Sequence, residues 1–424
     1  MAVIGAGVAG LAAAALLRAH GRSTALLEAG PRIGGRAWTD HPASLGGARF
    51  DHGAQWLHAA HRNPLVGLAR DRGIAVQPDI PWDARSLVMD PPGWRAPAGA
   101  YEAAEVRWHA TVQARLGGPD CSLAEAAEAV ADDPWTPTIE AWEGAIIAAG
   151  DADELSLHDW HANALDGENY VAPGGIGDLV AQCLNPGAVG VQLAAEVSTI
   201  AALQGGVRVT TSQGALTAGA AIVTVSTGVL RAEKVGFSPA LPPEILAALD
   251  GLPMGLLSKI VLRAAGPDRL GLASATGVFR RLPARGGAFL STIFWADGSD
   301  LAVGFVGGRA AWALAGLPAD AEEFMRAELV ATLGYEAGAA FAPGVLATRW
   351  AEDPAFLGAY AFARPGCAGA RAVLARPLWD GRLAFAGEAC APDGLAGTVA
   401  GAYLSGRQAA QRLLDGYAAG RECL

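Results

Sequence analysis

A glycine-rich turn near the start of the chain constrains the fold more than any other feature. A β-branched pair, Val3 and Ile4, leads into Gly5, Gly7 and Gly10, and an alanine- and leucine-rich stretch typical of a helix follows. In a dinucleotide fold, the first glycine of this spacing allows a tight turn, the second lets backbone approach a pyrophosphate, and the third lets the helix pack close to the strand. The unpaired N–H groups of the helix N-terminus then face the phosphates. The pattern predicts a bound dinucleotide; a glycine-rich turn into any buried helix is the alternative.

An acidic residue and a second glycine pair indicate which dinucleotide is bound. Glu28 ends the next apolar run, roughly 20 residues after the glycines, where a carboxylate accepts hydrogen bonds from a ribose 2′-OH and repels a 2′-phosphate. Shortly after Glu28 and Ala29, the pair Gly34 and Gly35 adds a second close approach of backbone, and Arg36 adds a cation that neutralises phosphate. This arrangement favours FAD, whose flavin extends beyond the pyrophosphate. A surface turn with a solvated arginine is the alternative for this segment.

Composition and charge limit the class of protein. The chain has 424 residues, enough for two domains, and its hydrophobic fraction of 52% contains no uninterrupted apolar run of transmembrane length. The five cysteines form no CxxC pair, which predicts reduced thiols in the cytoplasm, without a disulfide framework or a metal site. The net charge is −11 and no basic block occurs, which argues against nucleic acid as a partner. An acidic surface attracts cationic substrates, although many cytoplasmic proteins are acidic for solubility alone.

Lysine is scarce in this chain. Of the 31 lysine and arginine residues, only Lys234 and Lys259 are lysines, and Lys259 lies in the apolar run GLLSKIVLR. A buried amine is costly unless it is hydrogen-bonded or neutral, and a lysine can lose its proton where an arginine cannot. Lys259 is therefore a candidate for chemistry that a guanidinium cannot perform. A structural lysine that extends its amine to the surface is the alternative.

The segment after the first βαβ unit is suited to a flat ligand. Gly53 and Ala54 are small enough for backbone to pass close to it, while Trp56 and His58 offer an aromatic and a polar lining. From about residue 64 to residue 184, helical patterns rich in tryptophan and acids predict an inserted, substrate-side region. Near its end, Asp166 and Glu168 are predicted either to face a pocket or to be solvated in a loop.

The C-terminal part of the chain contains a second strong pattern. Short β-rich runs between residues 191 and 225 predict a return to the nucleotide domain, and 288–307 and 350–363 are also predicted to be strands. The stretch 383–388 predicts a strand that ends in a turn, and 396–406 opens a helix of small residues. The first N–H groups of this helix suit the electron-rich N1–C2=O edge of a flavin. A helix that only packs tightly is the alternative.

Together these motifs resemble the flavin-containing amine oxidase family, which comprises monoamine oxidases, polyamine oxidases and lysine-specific histone demethylases. The motifs are VIGAGVAGLAAA with LLEAGPRIGGRAWT near one end and LAFAGEA with AGTVAGAYLSG near the other, and GAQWLHAAHRNPL is most similar to the polyamine oxidase branch. The resemblance implies an α/β fold in which a Rossmann-like FAD-binding domain is interleaved with an α+β substrate-binding domain. The implied FAD-binding segments are 1–63, 185–245 and 346–424, and the implied substrate-domain segments are 64–184 and 246–345.

The resemblance also implies roles for individual residues. Lys259 matches the lysine that holds a water near flavin N5, Trp350 matches a tryptophan beside the isoalloxazine, and Tyr360 matches the aromatic that faces the flavin across the substrate amine. His58 lies where polyamine oxidases carry a histidine or glutamate that contacts the substrate nitrogen, and Val197 lies at the adenine end. The full set of implied FAD contacts is Gly5, Gly7, Gly10, Glu28, Ala29, Gly35, Arg36, Gly53, Ala54, Gln55, Trp56, Val197, Trp350, Gly387, Glu388, Thr398 and Val399.

Departures from the family pattern refine these expectations. Ala359 stands where monoamine oxidases attach FAD through a cysteine, so FAD is expected to be non-covalent. Thr398 stands where monoamine oxidases place a second tyrosine of the aromatic cage around the substrate amine. The smaller side chain leaves room for a longer substrate. Thr398, Asp166 and Glu168 are therefore candidates for contacts with the substrate. The arginine that binds the substrate carboxylate in L-amino acid oxidases is not evident in the matched motifs; Arg49 and Arg62 are alternatives elsewhere.

The predicted reaction is FAD-dependent oxidation of an aliphatic amine, a di- or polyamine, to an imine. The imine hydrolyses to an aldehyde and an amine, while O2 is reduced to H2O2. The predicted partners are the cationic amine and O2, without nucleic acid or membrane, and the chain is predicted to be a cytoplasmic monomer or homodimer. The alternatives are an L-amino acid oxidase or related FAD-dependent desaturase or dehydrogenase, and a flavin-bound protein without catalysis.

Overall fold

The apolar run at the start of the chain forms a buried strand, and the glycine turn leads from it into a helix, as the spacing predicts. The structure is a computed structural model that describes residues 1–90, 94–184 and 190–419. Cys423 and the predicted segment start at residue 185 lie outside the described residues.

Short strands and helices alternate along the described chain. The strands are β1 Ala2–Ile4, β2 Ala25–Leu27, β3 Thr39–Asp40, β4 Phe50–Asp51, β5 Gln77–Pro78, β6 Ser86–Met89, β7 Tyr170–Val171, β8 Val191–Gln192, β9 Val197–Leu203, β10 Gly206–Thr211, β11 Gly214–Ala218, β12 Ala221–Val223, β13 Gly236–Ser238, β14 Met254–Gly255, β15 Leu257–Arg263, β16 Thr276–Arg280, β17 Ser291–Phe294, β18 Leu301–Gly307, β19 Leu346–Ala347, β20 Tyr360–Ala361 and β21 Leu383–Phe385. The helices are α1 Val8–Ala19, α2 Pro64–Asp71, α3 Trp82–Arg85, α4 Ala100–Gln113, α5 Leu123–Ala126, α6 Thr136–Ala141, α7 Leu157–Ala162, α8 Ile176–Leu184, α9 Thr227–Arg231, α10 Pro243–Gly251, α11 Gly308–Leu314, α12 Pro318–Leu333, α13 Ala370–Leu374 and α14 Val399–Ala419, with a π-helix at Trp142–Ala148.

A parallel sheet gathers strands from distant parts of the chain. Its five strands lie in the order β21-β12-β1-β2-β8, and each neighbouring pair is parallel. All three residues of the central strand β1 are buried, as expected for an apolar strand whose sheet is covered by other elements. Ligands bind beyond the carboxyl ends of such strands, which is where the glycine turn begins.

Close packing of α1 against its neighbours depends on two glycines. A Cβ added to Gly10 would lie 1.9 Å from the carbonyl oxygen of Gly5, and one added to Gly406 would lie 2.1 Å from the carbonyl oxygen of Ala9. Both distances are far below van der Waals contact, so no side chain fits at either position. Glycine therefore lets α1 approach both the turn below it and helix α14.

A second sheet is mostly antiparallel. Its six strands lie in the order β19-β15-β18-β17-β16-β6, and only β16 and β6 are parallel. Strands β17 and β18 are buried along their whole length. Helices α4 to α7 and the π-helix pack against this sheet around large buried side chains such as Trp108, Ile139 and Phe279. The tryptophan-rich stretch therefore forms a helical wall over the antiparallel sheet.

The architecture is the predicted α/β arrangement, with the strands of the parallel sheet interleaved in sequence with those of the antiparallel sheet. The division into five segments stays a prediction. Helices α2 and α8, within predicted segment 64–184, pack in the same core as α1, and β19, within predicted segment 346–424, pairs with β15.

The predicted strand over 350–363 is wrong for most of its length, because residues 353–358 form turns and only β20 is extended. No helix in the described ranges is long and apolar enough to cross a membrane.

Candidate functional site

A cavity of about 1570 Å³ extends from the glycine turn to the helical wall. Its lining includes Gly5 and Gly7, then Lys259 and Trp350, and aromatic residues of the π-helix and α7. A pocket for one drug-sized ligand measures about 300–1,000 Å³. The cavity therefore has room for an extended cofactor together with a substrate.

The two glycine turns together form one cradle for the cofactor phosphates. Gly5 has φ 96°, which a side chain would strain, and Gly7 caps α1 without a side-chain hydrogen bond. A Cβ on Gly35 would lie 3.1 Å from the Cα of Gly7, so the second glycine turn touches the first. Because no side chain caps α1, the N–H groups of its first turn are available to a pyrophosphate.

Glu28 is fixed at the edge of this cradle. Its Oε2 accepts the N–H of Ala6 at 2.7 Å, and its Oε1 accepts the N–H of Gly30 at 2.8 Å. Each carboxylate oxygen can accept a further hydrogen bond. Ala29 and Val197 line the cavity beside it. This geometry suits the hydroxyl groups of a ribose.

Arg36 and Glu388 join the two ends of the sequence inside the cavity. The Glu388 Oε1 accepts hydrogen bonds from Arg36 Nη1 at 3.0 Å and from the N–H of Ala361 at 3.1 Å. Its Oε2 is buried and has no partner within the described chain. A buried oxygen without a donor is costly, and a ligand that carries hydroxyl groups would supply one. With Gly387 beside Glu388 in the lining, the residues present fit FAD.

Lys259 lies on β15 and is 4% exposed. Its Nζ donates to the carbonyl oxygen of Asp51 at 2.6 Å and to Oε1 of Gln55 at 2.9 Å. The rings of Phe50 and Phe305 lie 5.5 and 5.6 Å from Nζ. Burial lowers the pKa of Lys259 to about 8. The amine can therefore exchange a proton near neutral pH, unlike an exposed lysine.

Trp350 is held by the same segment, residues 51–55, that accepts the hydrogen bonds of Lys259. Its Nε1–H donates to the carbonyl oxygen of His52 at 3.2 Å, and its ring meets Phe356 edge to face at 5.2 Å. A Cβ on Gly53 would lie 1.9 Å from the carbonyl oxygen of Arg36 and 3.1 Å from Trp350 Cζ2. Gly53 thus lets three cavity segments meet, and Ala54 and Gln55 continue the lining.

Tyr360 is anchored through its hydroxyl. The O–H donates to the carbonyl oxygens of Ile146 and Ile147 at 3.2 and 3.1 Å. Burial raises the pKa of Tyr360, and the charge of Glu388 raises it further. A Cβ on Gly397 would lie 3.4 Å from the ring. The hydroxyl therefore stays protonated and holds the ring in one orientation within the cavity lining.

His58 offers an acceptor to the cavity. Its Nδ1 lies 3.0 Å from Asn169 Oδ1, and in the tautomer that donates this hydrogen bond, Nε2 keeps its lone pair. Burial lowers the pKa of His58, which favours the neutral ring. Trp56 lies beside it, with ring centroids 6.2 Å apart, and donates from Nε1 to Oδ2 of Asp79 at 2.8 Å.

The Thr398 hydroxyl is hydrogen-bonded to the backbone at the start of helix α14. It donates to the carbonyl oxygen of Leu395 at 2.7 Å and accepts the N–H of Gly401 at 3.0 Å, which is the bonding of a helix N-cap. Thr398 and Val399 both line the cavity at the start of α14, and a substrate contact of Thr398 stays a prediction.

Of the two acids predicted to hold a distal ammonium, Glu168 belongs to the cavity lining and Asp166 does not. Asp166 is exposed and pairs with Arg62, 3.1 Å away, while Glu168 is exposed at the cavity rim. Arg62 and Arg49 are absent from the described cavity lining. Neither arginine is therefore positioned to bind the carboxylate of a substrate inside the cavity.

The structure brings three ion pairs into the lining that the sequence motifs did not identify. They are Arg85–Asp79 at 3.0 Å, Arg371–Asp159 at 2.7 Å and His109–Glu143 at 3.4 Å. Their members come from separate helices and loops, and of the three pairs only Asp79 and Arg85 are close in sequence, six residues apart. The sequence feature that pointed to this part of the cavity was the density of tryptophans and acids between residues 64 and 184.

Comparisons with known proteins agree with this fold and cavity. The family model described as "Flavin containing amine oxidoreductase" matches residues 110–414, and the one described as "NAD(P)-binding Rossmann-like domain" matches residues 3–69. Polyamine oxidase 4 of Oryza sativa subsp. japonica is 30% identical over 96% of this chain and 87% of that protein. Lysine-specific histone demethylase 1 homolog 2 of Arabidopsis thaliana is 28% identical over 97% of this chain and 58% of that protein.

A solved structure shares the whole architecture. A putrescine oxidase bound to putrescine aligns with a TM-score of 0.78 over 98% of this chain and 98% of that chain, at 20% identity. The predicted fold class, family and cofactor are confirmed by these matches. The chain belongs to the flavin-containing amine oxidoreductase family, and it is an FAD-dependent amine oxidoreductase.

Proposed function

We propose that this enzyme oxidises an aliphatic di- or polyamine to an imine, which hydrolyses to an aldehyde and a smaller amine, while O2 is reduced to H2O2. The observation that carries this proposal is the pairing of the arginines in the cavity. Each arginine in the described lining already faces a carboxylate, in the pairs Arg36–Glu388, Arg85–Asp79 and Arg371–Asp159.

An arginine that already has a carboxylate beside it does not favour a substrate carboxylate, because its charge is balanced within the protein. Oxidation of an amino acid would require such a cation near the reacting nitrogen. The cavity instead offers aromatic faces and a buried lysine, Lys259, that can exchange a proton with an amine; the other lysine of the lining, Lys234, is exposed. The names of the relatives, a polyamine oxidase and a putrescine oxidase, support the same substrate class.

The substrate nitrogen must lose its ammonium proton before the adjacent carbon can give up a hydride equivalent. Desolvation in an apolar, aromatic cavity lowers the pKa of an amine and favours this loss. Lys259, with its own pKa near 8, would accept or return this proton through a bound water. Two of its donors are already used by Asp51 and Gln55, so the third position of Nζ is left for that water.

The other lining residues would orient the amine. Tyr360 and Trp350 are each held by hydrogen bonds to carbonyl oxygens, so their rings present fixed faces to the substrate nitrogen. His58 Nε2 would accept an N–H of the substrate. Bound FAD supplies the acceptor of the hydride equivalent, and Ala359 offers no nucleophile for a covalent link to it.

A substrate screen tests the proposal. The FAD-loaded enzyme would be assayed with diamines, polyamines, alkyl monoamines and amino acids, with peroxide detection and anaerobic bleaching of the flavin absorbance. We expect turnover of di- or polyamines and peroxide release. Turnover of amino acids in preference to amines would favour the L-amino acid oxidase alternative and refute the proposal.

A further inference from the structure

One wall of the cavity carries side chains that the reaction at Lys259 does not use. Trp142 and Glu143 on the π-helix, Trp160 on α7 and His109 on α4 all line the cavity. Indole faces and a carboxylate are the groups that bind an alkylammonium ion, through cation–π contact and ion pairing. This wall therefore has the chemistry of an ammonium subsite.

The Glu143 carboxylate is already oriented by its neighbours. Trp160 Nε1–H donates to Oε2 at 3.3 Å, and His109 Nε2 lies 3.4 Å from Oε1. The rings of His109 and Trp160 stack with centroids 5.8 Å apart and planes 22° apart. The side chain of Glu143 is 14% exposed. A ligand would not need to order this carboxylate, which lowers the entropic cost of binding.

The charges on this wall do not balance. Glu105, one turn before His109, brings a second carboxylate, and one ligating atom from each of Glu105, His109 and Glu143 lies within 4.8 Å of the others. No lysine or arginine in the part of the chain that the structure describes is ion-paired with either carboxylate. Two carboxylates facing one imidazole leave an excess of negative charge, and a cation would neutralise it.

Glu143 lies one helical turn from the anchor of Tyr360. The Tyr360 hydroxyl is held by the carbonyls of Ile146 and Ile147, which follow Glu143 by three and four residues on the π-helix, no more than about 6 Å along its axis at the α-helical rise of about 1.5 Å per residue. A substrate that reacts beside Tyr360 could extend along the π-helix, since each methylene lengthens an extended chain by about 1.3 Å, the projection of a C–C bond of about 1.5 Å. A second nitrogen several methylenes away would reach Glu143.

We propose that Glu143 determines specificity by binding the second ammonium group of a di- or polyamine, with the rings of Trp142 and Trp160 beside it. The inference rests on the proposed function, because it concerns the part of the same substrate that does not react. It assigns to Glu143 the distal contact that the sequence suggested for Asp166 and Glu168.

The test compares Glu143→Gln with the unchanged enzyme on two substrate series, α,ω-diamines and n-alkylmonoamines of matching chain length. Removing a charge-assisted hydrogen bond should lower kcat/KM for diamines about 10- to 100-fold, and kcat/KM for monoamines should stay within about twofold. The dependence of kcat/KM on diamine length should flatten in the variant. Glu102→Gln on α4, which changes an exposed carboxylate outside the cavity lining, controls for the general loss of negative charge.

The outcomes separate this inference from the proposed function. Equal losses for diamines and monoamines, or the same loss in Glu102→Gln, would overturn the role of Glu143 while leaving amine oxidation intact. If the enzyme without any substitution oxidises no amine, the proposed function is refuted and the inference with it. If Glu143→Gln loses FAD, Trp160→Phe replaces it: removing the indole N–H that orients Glu143 should lower kcat/KM for diamines selectively, and an unselective change would overturn the inference.

Discussion

Replacing Lys259 with methionine should change how the enzyme responds to pH. Burial lowers the pKa of Lys259 from 10.5 to about 8. With this pKa, roughly nine-tenths of the side chain is neutral at pH 9 and roughly one-hundredth at pH 6. Both hydrogen bonds, to Asp51 and Gln55, use donors that the neutral amine retains. Deprotonation therefore turns the third position of Nζ from a donor into an acceptor.

The size of the effect follows from these fractions. If neutral Lys259 acts as the base through a water, its contribution to flavin reduction is about 100-fold, the lower end for general base catalysis. At pH 9, the rate of flavin reduction by substrate in Lys259→Met should then be about 100-fold lower than in the enzyme without the substitution. At pH 6, where the lysine is almost fully charged, the two rates should differ only about twofold. Ionisation of the substrate affects both enzymes equally and cancels in the ratio.

The assay is anaerobic stopped-flow absorbance of the bound flavin, mixed with a diamine between pH 6 and pH 10. Lys234→Met is the matched control, because it removes the other lysine of the cavity lining, which is exposed whereas Lys259 is buried, and it should leave the pH profile unchanged. A ratio between the unchanged enzyme and Lys259→Met that is constant across pH would refute the role of Lys259 as a base. Loss of FAD from the variant would instead assign the lysine to cofactor binding.

Four further substitutions test the cofactor site and the framework. Gly10→Ala should abolish FAD binding, because its Cβ would lie 1.9 Å from a carbonyl oxygen of the glycine turn, whereas Gly67→Ala, within α2 and in open space, should raise the free energy of unfolding by about 0.5 to 1 kcal/mol. Glu388→Gln should raise the dissociation constant of FAD about tenfold, measured by fluorescence titration, because it replaces the carboxylate that holds Arg36 in place and whose unpaired Oε2 is left for a hydroxyl of the cofactor. Asp159→Asn should lower the free energy of unfolding by about 3 kcal/mol, seen as a lower urea midpoint, because a buried guanidinium loses its charged partner.

Each of these expectations has an opposing result. Retention of FAD by Gly10→Ala would mean that α1 can move away from the turn. An unchanged FAD affinity in Glu388→Gln would show that the pair with Arg36 does not shape the site. An unchanged urea midpoint in Asp159→Asn would show that the guanidinium finds enough partners in backbone carbonyls.

The sequence predicted the cofactor half of the protein well because its determinants are local. The spacing of Gly5, Gly7 and Gly10 places a strand, a turn and a helix within a few residues, and the structure contains all three. Lysine scarcity pointed to Lys259, which the structure buries. In both cases the identity of the residue and its immediate neighbours carried the information.

The substrate half was harder to predict because its determinants are tertiary. Glu143 faces the cavity only where a π-helix packs against helices α4 and α7, and no spacing in the sequence reveals this arrangement. The stretch 350–363 looked like a strand, yet the N–H of Gly358 bonds back to the carbonyl of Trp350 and the N–H of Phe356 to that of Asp353. Apolar content there reflects cavity lining rather than β-structure.

The contact between Arg36 and Glu388 has a consequence for biosynthesis. Their separation of 352 residues corresponds to roughly 20 to 70 s of translation at about 5–20 residues per second. During that interval the first βαβ unit has already been synthesised, while α14, which packs on α1, and β21, which pairs with β12, do not yet exist. The complete cavity therefore exists only after translation has reached the start of α14, and a nascent chain that ends before Glu388 lacks the carboxylate that pairs with Arg36.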